Sequence, residues 1–177
     1  MAYQLLEGKR GIIFGALNPD SIAWKVAEKA HEEGAEFVLT NAPVAIRMGE
    51  LNKLAEQTGS KIIPADATDL DDLEKLIRET REHFNGNIDF VLHSIGMSPN
   101  VRKGIPYDQT NYNNFLKTLD VSALSFHKIL QTAKKFDIIN EWGSVVALSY
   151  VAAQRTLFRY NDMADAKAVL ESIARSF

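Results

Sequence analysis

Five short apolar runs, each separated from the next by a stretch of helical periodicity, leave this chain few ways to fold. The runs are Gly11–Phe14, Phe37–Thr40, Lys61–Pro64, Ile88–His93 and Ser144–Leu148. Each is short and nearly unbroken in apolar character, the pattern of a strand buried on both faces rather than one that alternates between core and water. Strands that alternate with helices through short links are joined by right-handed crossovers, which predicts a doubly wound parallel α/β sheet in the order 3-2-1-4-5.

The helical stretches carry their own boundary signals. Ser21 is an N-cap residue for a helix through Ile22, Ala23, Val26, Ala27 and Ala30 that stops near Gly34. Ile46, Leu51, Leu54 and Ala55 predict one helix from Ala45 to Thr58, ended by Gly59. The acids from Asp69 to Asp72 complement a helix N-terminus, and Leu70, Leu73, Leu76 and Ile77 share its apolar face. A long helix opens at Tyr112. Its apolar surface, from Phe115 to Ala133 with Val121, Leu124 and Ile129 added, is wider than one sheet face would cover, so a subunit contact is one reading and burial under further chain the other.

Composition removes several function classes. With 177 residues, 46% of them apolar, the chain is read as one domain, residues 1–177, with a sizeable core. A net charge of -3 without a Lys/Arg cluster offers no field for nucleic acid or a membrane surface. The chain has no cysteine, hence no disulfide or thiolate chemistry, and its N-terminus lacks a signal-peptide pattern. A cytoplasmic location follows as the expectation. The four histidines are scattered, and no metal site is predicted.

The residues at the carboxyl ends of the strands are the candidate site, because ligands bind there in open α/β sheets. Gly15 ends the first run, and the turn Asn18-Pro19-Asp20 leads to a helix start whose free N–H groups suit a pyrophosphate. The usual glycine-rich fingerprint is interrupted, so an ordinary strand-to-helix turn reads equally well. No acid closes the second strand. Asn41 and Ala42 stand there instead, and Arg47 raises the phosphorylated dinucleotide. Asp66 reads either as an acceptor for an adenine amino group or as a loop cap, and Ser94-Ile95-Gly96 reaches the same edge with a glycine that permits close backbone approach.

Tyr160 and Lys167 stand seven residues apart, two turns of helix, so both side chains can point the same way. A neighbouring ammonium favours a phenolate and improves a phenol as proton donor. The pair could therefore stabilise or protonate an oxyanion. A tyrosine that merely opens a helix, with a lysine on its wet face, is the plain alternative.

Taken in order, Gly15-Ala16, Ser21-Ile22-Ala23-Trp24, Asp66-Ala67, His93-Ser94-Ile95-Gly96, Ser149-Tyr150 and Tyr160-Asn161 through Lys167 resemble the bacterial enoyl-acyl carrier protein reductases. These form a branch of the short-chain dehydrogenase/reductase family with a Rossmann-like fold. The likeness runs from about Gly8 to Phe177. Ordinary family members pair tyrosine and lysine four apart, whereas here position 163 is Met and the wider spacing is that of the branch.

The resemblance implies reduction of a 2-enoyl thioester on acyl carrier protein by NADH, with NADPH left open, in fatty-acid synthesis. Tyr160 would donate to the enolate oxygen, Lys167 would hold the nicotinamide ribose, and Tyr150 would border the acyl site. Gly15, Ser21, Ile22, Ala42, Asp66, Ala67 and Ile95 match cofactor-contacting positions, and Ser98 falls where the thioester would lie. It further implies a homo-oligomer, a tetramer. Members of the branch continue past the position of Phe177 into another strand, a mobile cover and a final strand, so a sheet incomplete at the C-terminus is expected. Two other readings stay open, a carbonyl reductase of the wider family and a non-catalytic dinucleotide-binding or self-association module.

Overall fold

The computed structural model describes residues 3–177. Its strands are β1 (Arg10–Phe14), β2 (Glu36–Thr40), β3 (Lys61–Ile62), β4 (Ile88–His93) and β5 (Ile139–Ala147), in one sheet ordered β3-β2-β1-β4-β5. All neighbours are parallel, with Ile12 opposite both Val38 and Val91, and Val91 opposite Val145. The expected order and winding are therefore found. The helices are α1 (Ile22–Glu32), α2 (Pro43–Met48), α3 (Leu51–Thr58), α4 (Leu70–Phe84), α5 (Pro99–Arg102), α6 (Tyr112–Leu119), α7 (Ser125–Lys135) and α8 (Asn161–Ser176).

Successive residues of β1 feed opposite layers, as the period of a strand requires. Ile12 and Phe14 pack with Leu73, Leu76 and Ile77 of α4 and Ile129 and Ala133 of α7. Ile13 packs with Ala23, Trp24 and Ala27 of α1 and Leu51 and Leu54 of α3. A fully buried Leu or Ile contributes about 1.5–3 kcal/mol, far above the tenths that separate ordinary helix propensities, so these faces decide where the helices lie. Helix α8 docks on the α7 side, where Ala166 and Leu170 meet Ala123 and Phe126.

Three elements differ from the sequence expectation. The single helix expected over 45–58 is two, broken at Gly49, whose extended backbone (φ -102°, ψ -170°) ends α2. The break is tertiary in origin: Glu50 N donates to Leu17 O at 2.8 Å, and a Cβ at Gly49 would sit 2.6 Å from that oxygen. The long helix from Tyr112 carries a π turn at Asp120–Leu124 between α6 and α7. Its Ser122 hydroxyl accepts from Met97 N at 2.9 Å and donates to Met97 O, pinning the segment after β4. Strand β5 begins five residues earlier than its apolar run, with a register shift between the Ile88 and Phe90 pairings that accommodates a bulge at Trp142.

Candidate active site

The site is assembled where the loops after β1, β2, β3 and β4 converge with the end of β5 and the start of α8. Gly15 shapes its centre. At φ +91° it takes a backbone conformation that disfavours side chains, and a Cβ there would run into the Ser94 carbonyl. The β1 and β4 loops thus touch backbone to backbone. Asn41 holds the next loop by donating to Ala16 O at 3.1 Å, while its own Oδ1 accepts from Ala42 N.

Ser21 precedes α1 but does not cap it through its side chain. Its hydroxyl accepts from Leu17 N at 3.2 Å and donates to Asn18 O at 2.7 Å, so it closes the turn and leaves the first N–H groups of α1 without side-chain partners. Ile22, the first residue of that helix, is exposed. Asp66 follows β3, its Oδ1 accepting from both the amide and the hydroxyl of Thr68, at 2.9 and 2.7 Å. Ala67 is buried in the core, and Ala42 is half-buried just ahead of Pro43.

The tyrosines and the lysine occupy the other half. Tyr160 precedes α8, and its ring meets that of Tyr150 with centroids 4.8 Å apart, tilted by 44°. Lys167, 6% exposed, donates to Leu148 O at 2.7 Å and to Ile95 O at 3.4 Å. One ammonium thereby ties the ends of β4 and β5 together. Gly96 lies against it: a Cβ there would be in ordinary contact with Lys167 Nζ and Met163 Cε, each at 3.7 Å.

The electrostatics correct one expectation. Burial, and after it the Tyr150 phenol, raises the Tyr160 pKa above that of a free phenol, and Lys167 is not among the causes. Burial in turn lowers the Lys167 pKa. The ammonium faces carbonyls, so its direct effect is on the backbone, and Tyr160 is held as a neutral phenol, a hydrogen-bond donor across the physiological range.

Ser98 is brought to this region, but its side chain is turned away from the open space. It is 3% exposed, donating to Asp162 Oδ1 at 2.7 Å and accepting from Val101 N at 3.0 Å. Beside this group lies an open cavity of about 930 Å³, walled by Ile105, Pro106 and Tyr107 on one side and by Leu157, Phe158 and Asn161 on the other.

Sequence reasoning missed two buried groups. His93, at the end of β4, has Nε2 2.8 Å from Ser125 Oγ. Since that hydroxyl donates to Val121 O at 2.7 Å, Nε2 carries the proton and Nδ1 is a bare acceptor with no partner among the described residues. Burial, with the Lys167 charge second, lowers the His93 pKa to about 3. The other group is Asp162, fully buried and accepting from Ser98, Asn100 and Thr118. An acid on the inward stripe 162, 163, 166, 167 and 170 of α8 was the signal that could have found it.

Comparison with known proteins decides the family. A family model described as enoyl-(acyl carrier protein) reductase matches residues 15–177. The chain belongs to the enoyl-acyl carrier protein reductase family. Two reductases of Rhizobium meliloti, named enoyl-[acyl-carrier-protein] reductase [NADH] 2 and 1, are 34% and 36% identical to it over 97% of its length. The chain spans 63% and 62% of the length of these two relatives. Among solved family structures, the FabI–NADH complex from Alistipes finegoldii superposes with a TM-score of 0.97 at 67% identity, covering 99% of this chain and 62% of that one. The NADH-dependent reductase from Aquifex aeolicus gives 0.86 at 30% identity, with 97% and 67% covered.

Proposed function

We propose that this chain carries the dinucleotide cradle and the acid-base residues of a reductase that saturates the carbon-carbon double bond of a 2-enoyl thioester on acyl carrier protein, with NADH as reductant, in fatty-acid synthesis. The observation that carries the reading is that a neutral, half-buried Tyr160 opens α8 while the buried Lys167 of the same helix bonds to the ends of β4 and β5, where Gly96 adds no side chain. Such an edge suits a dinucleotide laid across the sheet. The names of the relatives, and the NADH in the Alistipes finegoldii complex, support the same choice of reductant.

When bound, NADH supplies a hydride to the β-carbon, and negative charge then develops on the thioester oxygen. Tyr160 donates to that oxygen and stabilises the charge at a site partly withdrawn from water. Tyr150, whose ring rests on that of Tyr160, orients the phenol and borders the acyl group. Lys167 fixes the ends of β4 and β5 and has one N–H left, which would serve a ribose hydroxyl of the bound cofactor. Gly15, Ser21 and Ile22 would hold the pyrophosphate, Ala42 the adenosine ribose, Asp66 and Ala67 the adenine, and Ile95 the nicotinamide. Ser98 would lie beside the thioester, with its hydroxyl committed to Asp162.

We also read the family member as a cytoplasmic homo-oligomer, a tetramer. No described helix is long and apolar enough to cross a membrane. The exposed side chains of Tyr112, Leu116 and Leu124 support self-association through α6 and the π turn.

The test is oxidation of NADH and of NADPH by this polypeptide with a short 2-enoyl thioester and, separately, with a ketone. Turnover with NADH and the enoyl thioester is expected. A preference for the ketone would replace the reading by that of a carbonyl reductase, and cofactor binding without turnover of either would reduce it to a dinucleotide-binding module.

A further inference from the structure

Asp162 stands two residues after Tyr160 in the first turn of α8 and is fully buried. Among the described residues no cationic side chain pairs with it; its partners are neutral donors on other elements. Oδ1 accepts from Ser98, which opens α5, and Oδ2 accepts from Asn100 Nδ2 at 2.9 Å and from Thr118 of α6, also at 2.9 Å. Those donors are themselves fixed. Asn100 donates to Asn111 O and accepts from Asn114 Nδ2, both at 3.1 Å, and Ser98 caps α5 through Val101 N. Two flanking bonds join the same pair of segments, Asn161 Nδ2 to Ile105 O at 2.7 Å and Tyr107 OH to Asp165 Oδ2 at 2.9 Å.

A carboxylate taken out of water without a counter-ion is a costly way to hold two elements together, and an apolar residue of similar volume often serves stability as well. What the carboxylate supplies is a fixed geometry, because several directional donors converge on its two oxygens. The segments it joins bear the site. One carries Tyr160; the other runs from Ile95 and Gly96, beside Lys167, through Ser98 to the cavity wall at Ile105–Tyr107.

We propose that Asp162 is a positioning residue for Tyr160: its carboxylate latches the start of α8 to the 98–118 segment and so sets where the phenol stands relative to the end of β4. The consequence for turnover rests on the reductase reading; the placement of the ring does not. An asparagine at 162 keeps the shape but turns an N–H₂ group toward one of the donors, which opens the latch without a void.

The test uses the whole chain with Asp162→Asn, Ser98→Ala and the double variant, read by steady-state kinetics and by the cross-peaks between the Tyr150 and Tyr160 rings in ¹³C-tyrosine NMR. Asp162→Asn is expected to lower kcat about tenfold while the KM for NADH stays within about twofold, since misplacement of one reacting group by an ångström carries losses of that order or more. The inter-ring cross-peaks weaken in parallel. The double variant falls no further than Asp162→Asn alone, because Ser98 acts through Asp162. Should Asp162→Asn not fold, Ser98→Ala and Thr118→Val each remove one donor and are expected to weaken the same cross-peaks. Unchanged cross-peaks in the folded variants, or a full kcat in Asp162→Asn, would overturn the proposal. A parent that turns over no enoyl thioester would remove the reductase reading, and the NMR comparison would then decide the latch by itself.

Discussion

The Lys167 ammonium donates to the Leu148 carbonyl at 2.7 Å, and through its second bond to Ile95 it joins the ends of two adjacent strands. That relationship makes the lysine a structural member of the sheet edge as well as a candidate ligand of the cofactor. Lys167→Met keeps the length of the side chain but leaves the part-buried Leu148 carbonyl without its donor, a loss on the order of 1 kcal/mol. Urea unfolding is expected to show a lower midpoint with an unchanged slope. A midpoint equal to the parent's would show that water replaces the ammonium without penalty.

Gly15 permits the contact between the β1 and β4 loops, and its φ of +91° adds strain for any other residue. Gly15→Ala is expected to lower stability by about 1–3 kcal/mol, the usual cost of a residue forced into such a region. It also displaces the Ser94 backbone. Fluorescence titration with NADH is expected to show affinity reduced at least about tenfold, as 1.4 kcal/mol of lost interaction implies.

His93 gives the fold an acid-sensitive point. Its pKa is about 3 in the folded chain against 6.5 for an ordinary histidine, so the unfolded chain binds more protons between those values. Stability therefore falls as pH drops from about 6.5 toward about 3, by at most about 1.4 kcal/mol per pH unit from this group. His93→Gln keeps a side-chain N–H for Ser125 and cannot titrate. Thermal melts between about pH 4 and about pH 7 are expected to show a smaller drop in Tm for the variant than for the parent.

Much of the fold is legible in the sequence because the strands read as short apolar runs, the inner ones buried on both faces and the edge strand β5 apolar although Val146 stays exposed. The exceptions depend on partners far along the chain. The break at Gly49 is set by the Leu17 carbonyl, and no local pattern in 45–58 announces it. The first half of β5 carries the exposed Asn140, Glu141 and Trp142 and falls in the register shift between the Ile88–Ile139 and Phe90–Ser144 pairings, so no apolar run marks it. In the site, the spacing of Tyr160 and Lys167 is readable as motif and periodicity. The carbonyl partners of Lys167 are not, since backbone groups leave no mark in composition. Asp162 leaves only the mark of an acid on the inward stripe of α8, ordinary in a first turn until its burial is known.

Trp142 is a further case of sequence and geometry in conflict. It lies at φ +63° on the β5 bulge with its side chain 95% exposed, so it bears backbone strain and gains little packing in return. Trp142→Gly relieves about 1–2 kcal/mol of strain against about 0.5–1 kcal/mol of added chain entropy. A slightly raised urea midpoint is expected; a lowered one would show that the indole packs in solution.

The central claim is that Tyr160 donates to the oxyanion formed in the reduction of a 2-enoyl thioester. The most direct measurement is NADH oxidation with that thioester by the parent and by Tyr160→Phe, which keeps the ring against Tyr150 and removes only the hydroxyl. Loss of one oxyanion donor lowers kcat by about 10²–10³ in comparable sites, and a fall of that order with the KM for NADH nearly unchanged is the expected result. Equal kcat values for parent and variant would contradict the role assigned to Tyr160.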